Sequence, residues 1–80
     1  MSSLTLEILT PEQMLVSETV TEFYVPTVCG EIGILPGHAD MVTVLSSGES
    51  NYKTEKEKKT VNLNGGILKV ANDKISIFTD

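Results

Sequence analysis

The stretch "ILKVANDKISIFT", residues 67–79, decides the fold. Leu68 and Val70 alternate with Lys69 and Ala71, Ile75 and Ile77 alternate with Ser76 and Phe78, and only Asn72 and Asp73 lie between the two runs. Period-two apolar runs joined by two turn-forming residues make a β-hairpin with one buried face. The same period continues outward. "LTLEIL" places Leu4, Leu6 and Ile8 on one side and Thr5 and Glu7 on the other, and Pro11 closes that strand. "MLVSETV" and "TEFYVP" follow, the second turning Phe23 and Val25 inward and stopping at Pro26. "MVTVL" ends at "SSG", "TVNL" carries Val61 and Leu63 inward, and "NGG" at 64–66 signals a turn. No run of helical length shows helical spacing. Eight to ten short strands with frequent turns predict an all-β chain, a β-sandwich or flattened barrel of antiparallel strands.

Eighty residues suit one domain, since a chain this short buries only about 60% of its unfolded surface and supports one core. With two Phe, two Tyr and no Trp, that core is aliphatic. The net charge of −5 and the absence of arginine speak against nucleic acid. Four of the six lysines fall in "KTEKEKK", where Glu55 and Glu57 half neutralise them, and the segment reads as a solvated hairpin tip. Cys29 is the single cysteine, so no internal disulfide forms. The N-terminus has no basic stretch followed by an apolar one, and no window approaches the roughly 18 apolar residues of a membrane span. The expected location is the cytosol.

"CGEIGILPGHADM", residues 29–41, breaks the pattern by crowding Gly30, Gly33, Pro36, Gly37 and the only histidine between strands. The glycines lack the lysine and hydroxyl of a phosphate loop, and no helix follows as a dinucleotide fingerprint requires. His38 has only Asp40 near it at ligand spacing, and two candidate ligands do not make a zinc or iron site. Cys29 has no neighbouring base to make it a nucleophile, and the acids fall at outward or turn positions. From the residues alone, the chain is a small acidic binding module whose glycine segment presents a fixed shape. No cofactor, metal or small-molecule ligand is expected.

Three blocks, "LEILTPE", "GEIGILPGHADMVTVL" and "LNGGILKVANDKISIFTD", stand in an order and spacing that resembles the N-terminal domain of the epsilon subunit of F-type ATP synthases. The resemblance covers nearly the whole chain. It implies a ten-stranded β-sandwich in the central stalk, a non-catalytic rotor part joining the gamma subunit to the c-ring during proton-driven ATP synthesis. It implies attachment to the cytoplasmic side of the energy-transducing membrane through the complex, without insertion. Matched position by position, Glu31 is expected to face the c-ring loops, and Thr10, His38 and Thr43 to face gamma. Gly30, Gly33, Pro36 and Gly37 would shape the loop. Asp40 stands where the family usually has proline, "ESNY" at 49–52 where it usually has an apolar strand, and "TVCG" where the approach is more acidic or glycine-rich. The family commonly continues into a C-terminal helical hairpin that inhibits ATP hydrolysis and in some members binds ATP. This chain stops at Asp80, so neither activity is expected of it. A stand-alone adaptor using the same sandwich, and a small enzyme or metal protein centred on His38 and Cys29, are the competing readings.

Overall fold

A computed structural model of the chain describes residues 3–79; Asp80 lies outside them. Seven strands run β1 (Leu4–Leu9), β2 (Met14–Val20), β3 (Glu22–Thr27), β4 (Gly30–Ile34), β5 (Met41–Lys53), β6 (Lys58–Ala71) and β7 (Lys74–Phe78). They form one sheet in the order β2-β1-β7-β6-β5-β3-β4. Every neighbouring pair is antiparallel except β1 and β7, which run parallel and tie the two ends of the chain together.

The all-β sandwich class stands, and the strand number is seven rather than ten because two strands are long. β5 has 13 residues and β6 has 14. "SSG" and "NGG" do not reverse the chain. They are facing points of one continuous ladder, in which Leu45 pairs with Gly66 and Ser47 with Asn64. The inward positions change parity there, from Thr43 and Leu45 to Ser50 and Tyr52 in β5, and from Val61 and Leu63 to Leu68 and Val70 in β6. Both strands switch together, so the register holds while the sheet bends over its own core. Gly66 makes the bend possible. Its φ of 128° is open to glycine, and a Cβ there would collide with the Phe78 carbonyl oxygen.

Pro26 is not a stop either: it lies inside β3, paired with Glu31 of β4. Its missing N–H falls where the β3–β5 ladder is irregular, between Tyr24 and Thr27, the place a strand tolerates proline.

The bend puts one core between the two layers. Leu4, Leu6, Ile8, Phe23, Val25, Leu63, Leu68, Val70, Ile75 and Ile77 are buried as the alternation predicts, whereas Val61 is only partly covered. Val20, Ile34, Leu45 and Tyr52 complete it. "ESNY" is ordinary strand: Ser50 and Tyr52 point inward, and the Ser50 hydroxyl is buried with no hydrogen-bond partner among the described residues.

Candidate docking face

Five strands, β2-β1-β7-β6-β5, make the outer surface of one layer, with β7 in the middle. Their registers place one residue from each strand in a straight row: Met14 beside Leu9, Leu9 beside Phe78, Phe78 beside Ile67, Ile67 beside Val44. All five are apolar. Phe78, Ile67, Val44 and Met14 are each about half exposed, at 52%, 49%, 52% and 48%. The bulge between Ile8 and Leu9 sets Leu15 beside Met14 as a further exposed apolar residue. Val42 extends the apolar surface along β5, and Val28, whose N–H donates to the Val44 carbonyl, extends it from the β3–β4 turn. Scattered exposed apolar residues are ordinary; a contiguous row across five strands makes this the candidate docking surface.

The next row inward along the strands is polar: Val42 is followed by Lys69, Ser76, Glu7 and Ser17. Glu7 also lies 3.3 Å from Lys74.

At the edge of this layer, Glu18 of β2 fastens the sandwich. One carboxylate oxygen accepts the Tyr52 hydroxyl at 2.6 Å and the other accepts Lys59 Nζ at 2.9 Å. The Tyr52 and Lys59 hydrogen bonds hold the Glu18 carboxyl below its ordinary value of 4.5. Burial, reinforced by the Glu18 carboxylate, pushes the Tyr52 hydroxyl up to about 12. These bonds join the outermost strand of one layer to the hairpin of the other.

The residues expected at the interface fall in different places. Thr10 borders the row, where Pro11, Gly65, Ile67 and Phe78 line a shallow groove with it, and its hydroxyl caps the turn to Gln13. Thr43 lies on β5 between Val42 and Val44 but on the inner side, opposite Leu68 and half buried. His38 is at the far end of the layer from Thr10. There the Gly37 N–H donates to the Asp73 carboxylate at 2.7 Å, Asp40 accepts from the Asn72 N–H at 3.4 Å, and the His38 ring bonds the Ala39 carbonyl. Asp40 therefore ties the glycine segment to the β6–β7 turn across the fold. Glu31 is on the exposed edge strand β4, facing away from the core. Gly30 and Gly37 adopt positive φ, while Gly33 does not; a Cβ at Gly33 would meet the Tyr24 ring at 2.6 Å. Pro36 precedes Gly37 in the turn closed by the His38 N–H to the Leu35 carbonyl.

No group of three or more His, Cys, Asp or Glu residues able to hold a metal occurs among the described residues, and Cys29 is an exposed free thiol. No helix is long and apolar enough to cross a membrane among them.

Alternation along single strands does not reveal the row. Its signal was present in apolar residues of the wrong parity: Val42 and Val44 beside Leu45, Ile67 beside Leu68, and Phe78 beside Ile77.

Fold and face together define a small β-sandwich module with one exposed apolar outer face. Residues 3–80 match the family described as "ATP synthase, Delta/Epsilon chain, beta-sandwich domain", and the chain belongs to that family. Among curated relatives, the ATP synthase epsilon chain of Solibacter usitatus is 40% identical over 78 residues, covering 98% of this chain and 58% of its own. That of Lawsonia intracellularis is 37% identical over 78 residues, covering 98% and 59%. The chain thus spans about three-fifths of the length of these relatives. Among solved structures, a chain of the Euglena gracilis mitochondrial ATP synthase, described as OSCP/F1/c-ring, superposes with a TM-score of 0.91 at 24% identity, covering 99% of this chain and 51% of its own. A chain of the Tetrahymena thermophila mitochondrial ATP synthase, described as central stalk/c-ring, gives 0.77 at 13% identity, covering 95% and 62%. These two likenesses establish the fold.

Proposed function

We propose that the chain is a non-catalytic rotor module of a proton-translocating F-type ATP synthase, docking on the gamma subunit through the apolar row and coupling it to the c-ring. The observation that carries this reading is the row Met14, Leu9, Phe78, Ile67, Val44, an apolar surface that needs a partner. Membership of the family and the names of the curated relatives support an ATP synthase as the setting, and the resemblance of the three sequence blocks to the epsilon N-terminal domain implies gamma as that partner. Thr10 would meet gamma at the end of the row and His38 at the far corner, whereas Thr43 faces the inner side of β5 and would be reached only from the open side of that strand, not through the row. Glu31, on a different outer surface, is free to face polar loops of the c-ring, where an exposed carboxylate fixes register and speeds encounter more than it adds affinity. The module would sit at the cytoplasmic side of the energy-transducing membrane, held there by the complex. Chemistry belongs to other subunits in this reading, which gives these residues docking and torque transfer only.

The test is reconstitution with gamma and a c-ring. Glu31→Lys is expected to keep gamma binding and melting temperature while lowering proton-coupled ATP synthesis. Loss of gamma capture with this variant, or unchanged coupling, would contradict the roles assigned to the two surfaces.

A further inference from the structure

We infer that the same face pairs two copies of this chain when no other partner covers it, about a twofold axis lying along β7. The arrangement of the rows carries the inference. β7 is the central strand of the five, so a half-turn about its axis lays one outer face on the other and sets β1 over β6 and β2 over β5 of the second copy. The apolar row is matched to itself by this operation: Phe78 meets Phe78, Leu9 meets Ile67, and Met14 meets Val44. The neighbouring row is matched in charge. Glu7 of each copy, which also bridges its own Lys74 at 3.3 Å, falls opposite Lys69 of the other, Ser76 falls opposite Ser76, and in the row beyond Lys74 falls opposite Lys74, a like-charge contact that weakens the pairing. Lys69 is exposed and has no carboxylate within 4.0 Å among the described residues, which leaves its ammonium open to a countercharge on a second copy. Face-to-face sheets pack about 10 Å apart, a gap that a lysine and a glutamate together span.

The size of the face sets the strength. Five strands at about 4.8 Å and two rows at about 7 Å give roughly 340 Å² per copy, well under the ~800 Å² per partner of a standard stable interface. A net charge of −5 on each copy opposes pairing further. The dimer is therefore weak and exchanges rapidly, so it gives way to any partner that covers the face more fully. Self-pairing shields the apolar row of the free chain and competes with the docking proposed above.

Sedimentation velocity of the chain alone, from micromolar to millimolar concentration, reads this directly. The average mass is expected to climb toward that of a dimer, and Phe78→Asp to hold it at the monomer. Lys69→Glu should raise the dimer dissociation constant about tenfold, and the exchange Glu7→Lys with Lys69→Glu should return it to within about threefold of the original. Far-UV circular dichroism confirms that each variant is folded. A chain that stays monomeric throughout, or a charge exchange that fails to restore pairing, overturns the inference. The inference itself does not depend on gamma. A chain that binds gamma but never self-associates sinks this inference alone, and one that self-associates but ignores gamma sinks the rotor reading alone.

Discussion

The sandwich has two outer surfaces, and strands β5 and β6 contribute to both. On one side of the bend they show Val42, Val44 and Ile67 to the outside; on the other they show Glu49, Asn51, Lys53, Lys58, Thr60 and Asn62. The backbone ladder, the register and the core beneath are continuous from one half to the other. Folding alone does not call for this contrast, because outward positions of an antiparallel sheet are free to be polar along their whole length. The polar half shows what these strands look like when water is the partner. The apolar half, set in line with Phe78, Leu9 and Met14, departs from that pattern, as the docking proposed above requires.

The largest expected effect lies at the bend that separates the two surfaces. Gly66→Val should destabilise the chain by about 4 kcal/mol or more and remove its cooperative melting transition, since the new side chain meets the Phe78 carbonyl and a φ of 128° at once. A variant that melts normally would mean the bend does not depend on that close approach.

A smaller effect belongs to the carboxylate that fastens the two layers. Glu18→Gln is expected to cost about 1 kcal/mol, because the bonds to Tyr52 and Lys59 are short but partly open to solvent. The pH dependence has two arms. The Glu18 carboxyl is held below 4.5 in the folded chain, so its contribution is present above that value and fades as pH falls through the depressed folded value. The Tyr52 hydroxyl is raised from 10.0 to about 12, so its contribution is intact below 10 and fades as pH rises toward 12. Chemical denaturation of both proteins across pH should show their stability difference shrinking at each extreme; a difference independent of pH would contradict the assignment.

Ser50→Ala is the smallest and of opposite sign. Removing a buried hydroxyl that has no partner should leave stability unchanged or raise it by up to about 1 kcal/mol. A loss above about 1 kcal/mol in urea unfolding would show that the hydroxyl has a partner in solution.

The sequence was legible where period two was uninterrupted. Alternation alone places Leu4, Leu6, Ile8, Ile75 and Ile77 in the core, and Asn72 and Asp73 as the hairpin turn they form with φ of 50° and 59°. It misled where the period slips without a reversal. The glycines at 48, 65 and 66 carry the backbone freedom that marks turns, and here it serves to bend two paired strands in step. The site was only partly legible. Glu31 and the glycine segment stand out locally, but Leu9, Met14, Val44, Ile67 and Phe78 come from five strands, and only register makes them neighbours. The parallel pairing of β1 with β7, which completes the row, has no local signal in either strand.

The contrast between the two surfaces is tested most directly by introducing the same charge on each and measuring gamma binding by calorimetry. Phe78→Asp places a carboxylate in the apolar row, and Asn62→Asp places one on the polar surface of β6; Phe78 is half exposed and Asn62 exposed, so both variants should fold, Asn62→Asp melting within a few degrees of the parent and Phe78→Asp within about 10 °C. The account predicts that Phe78→Asp weakens gamma binding by about thirtyfold or more while Asn62→Asp leaves it within about threefold. Equal binding by the two variants, or a greater loss with Asn62→Asp, would contradict it.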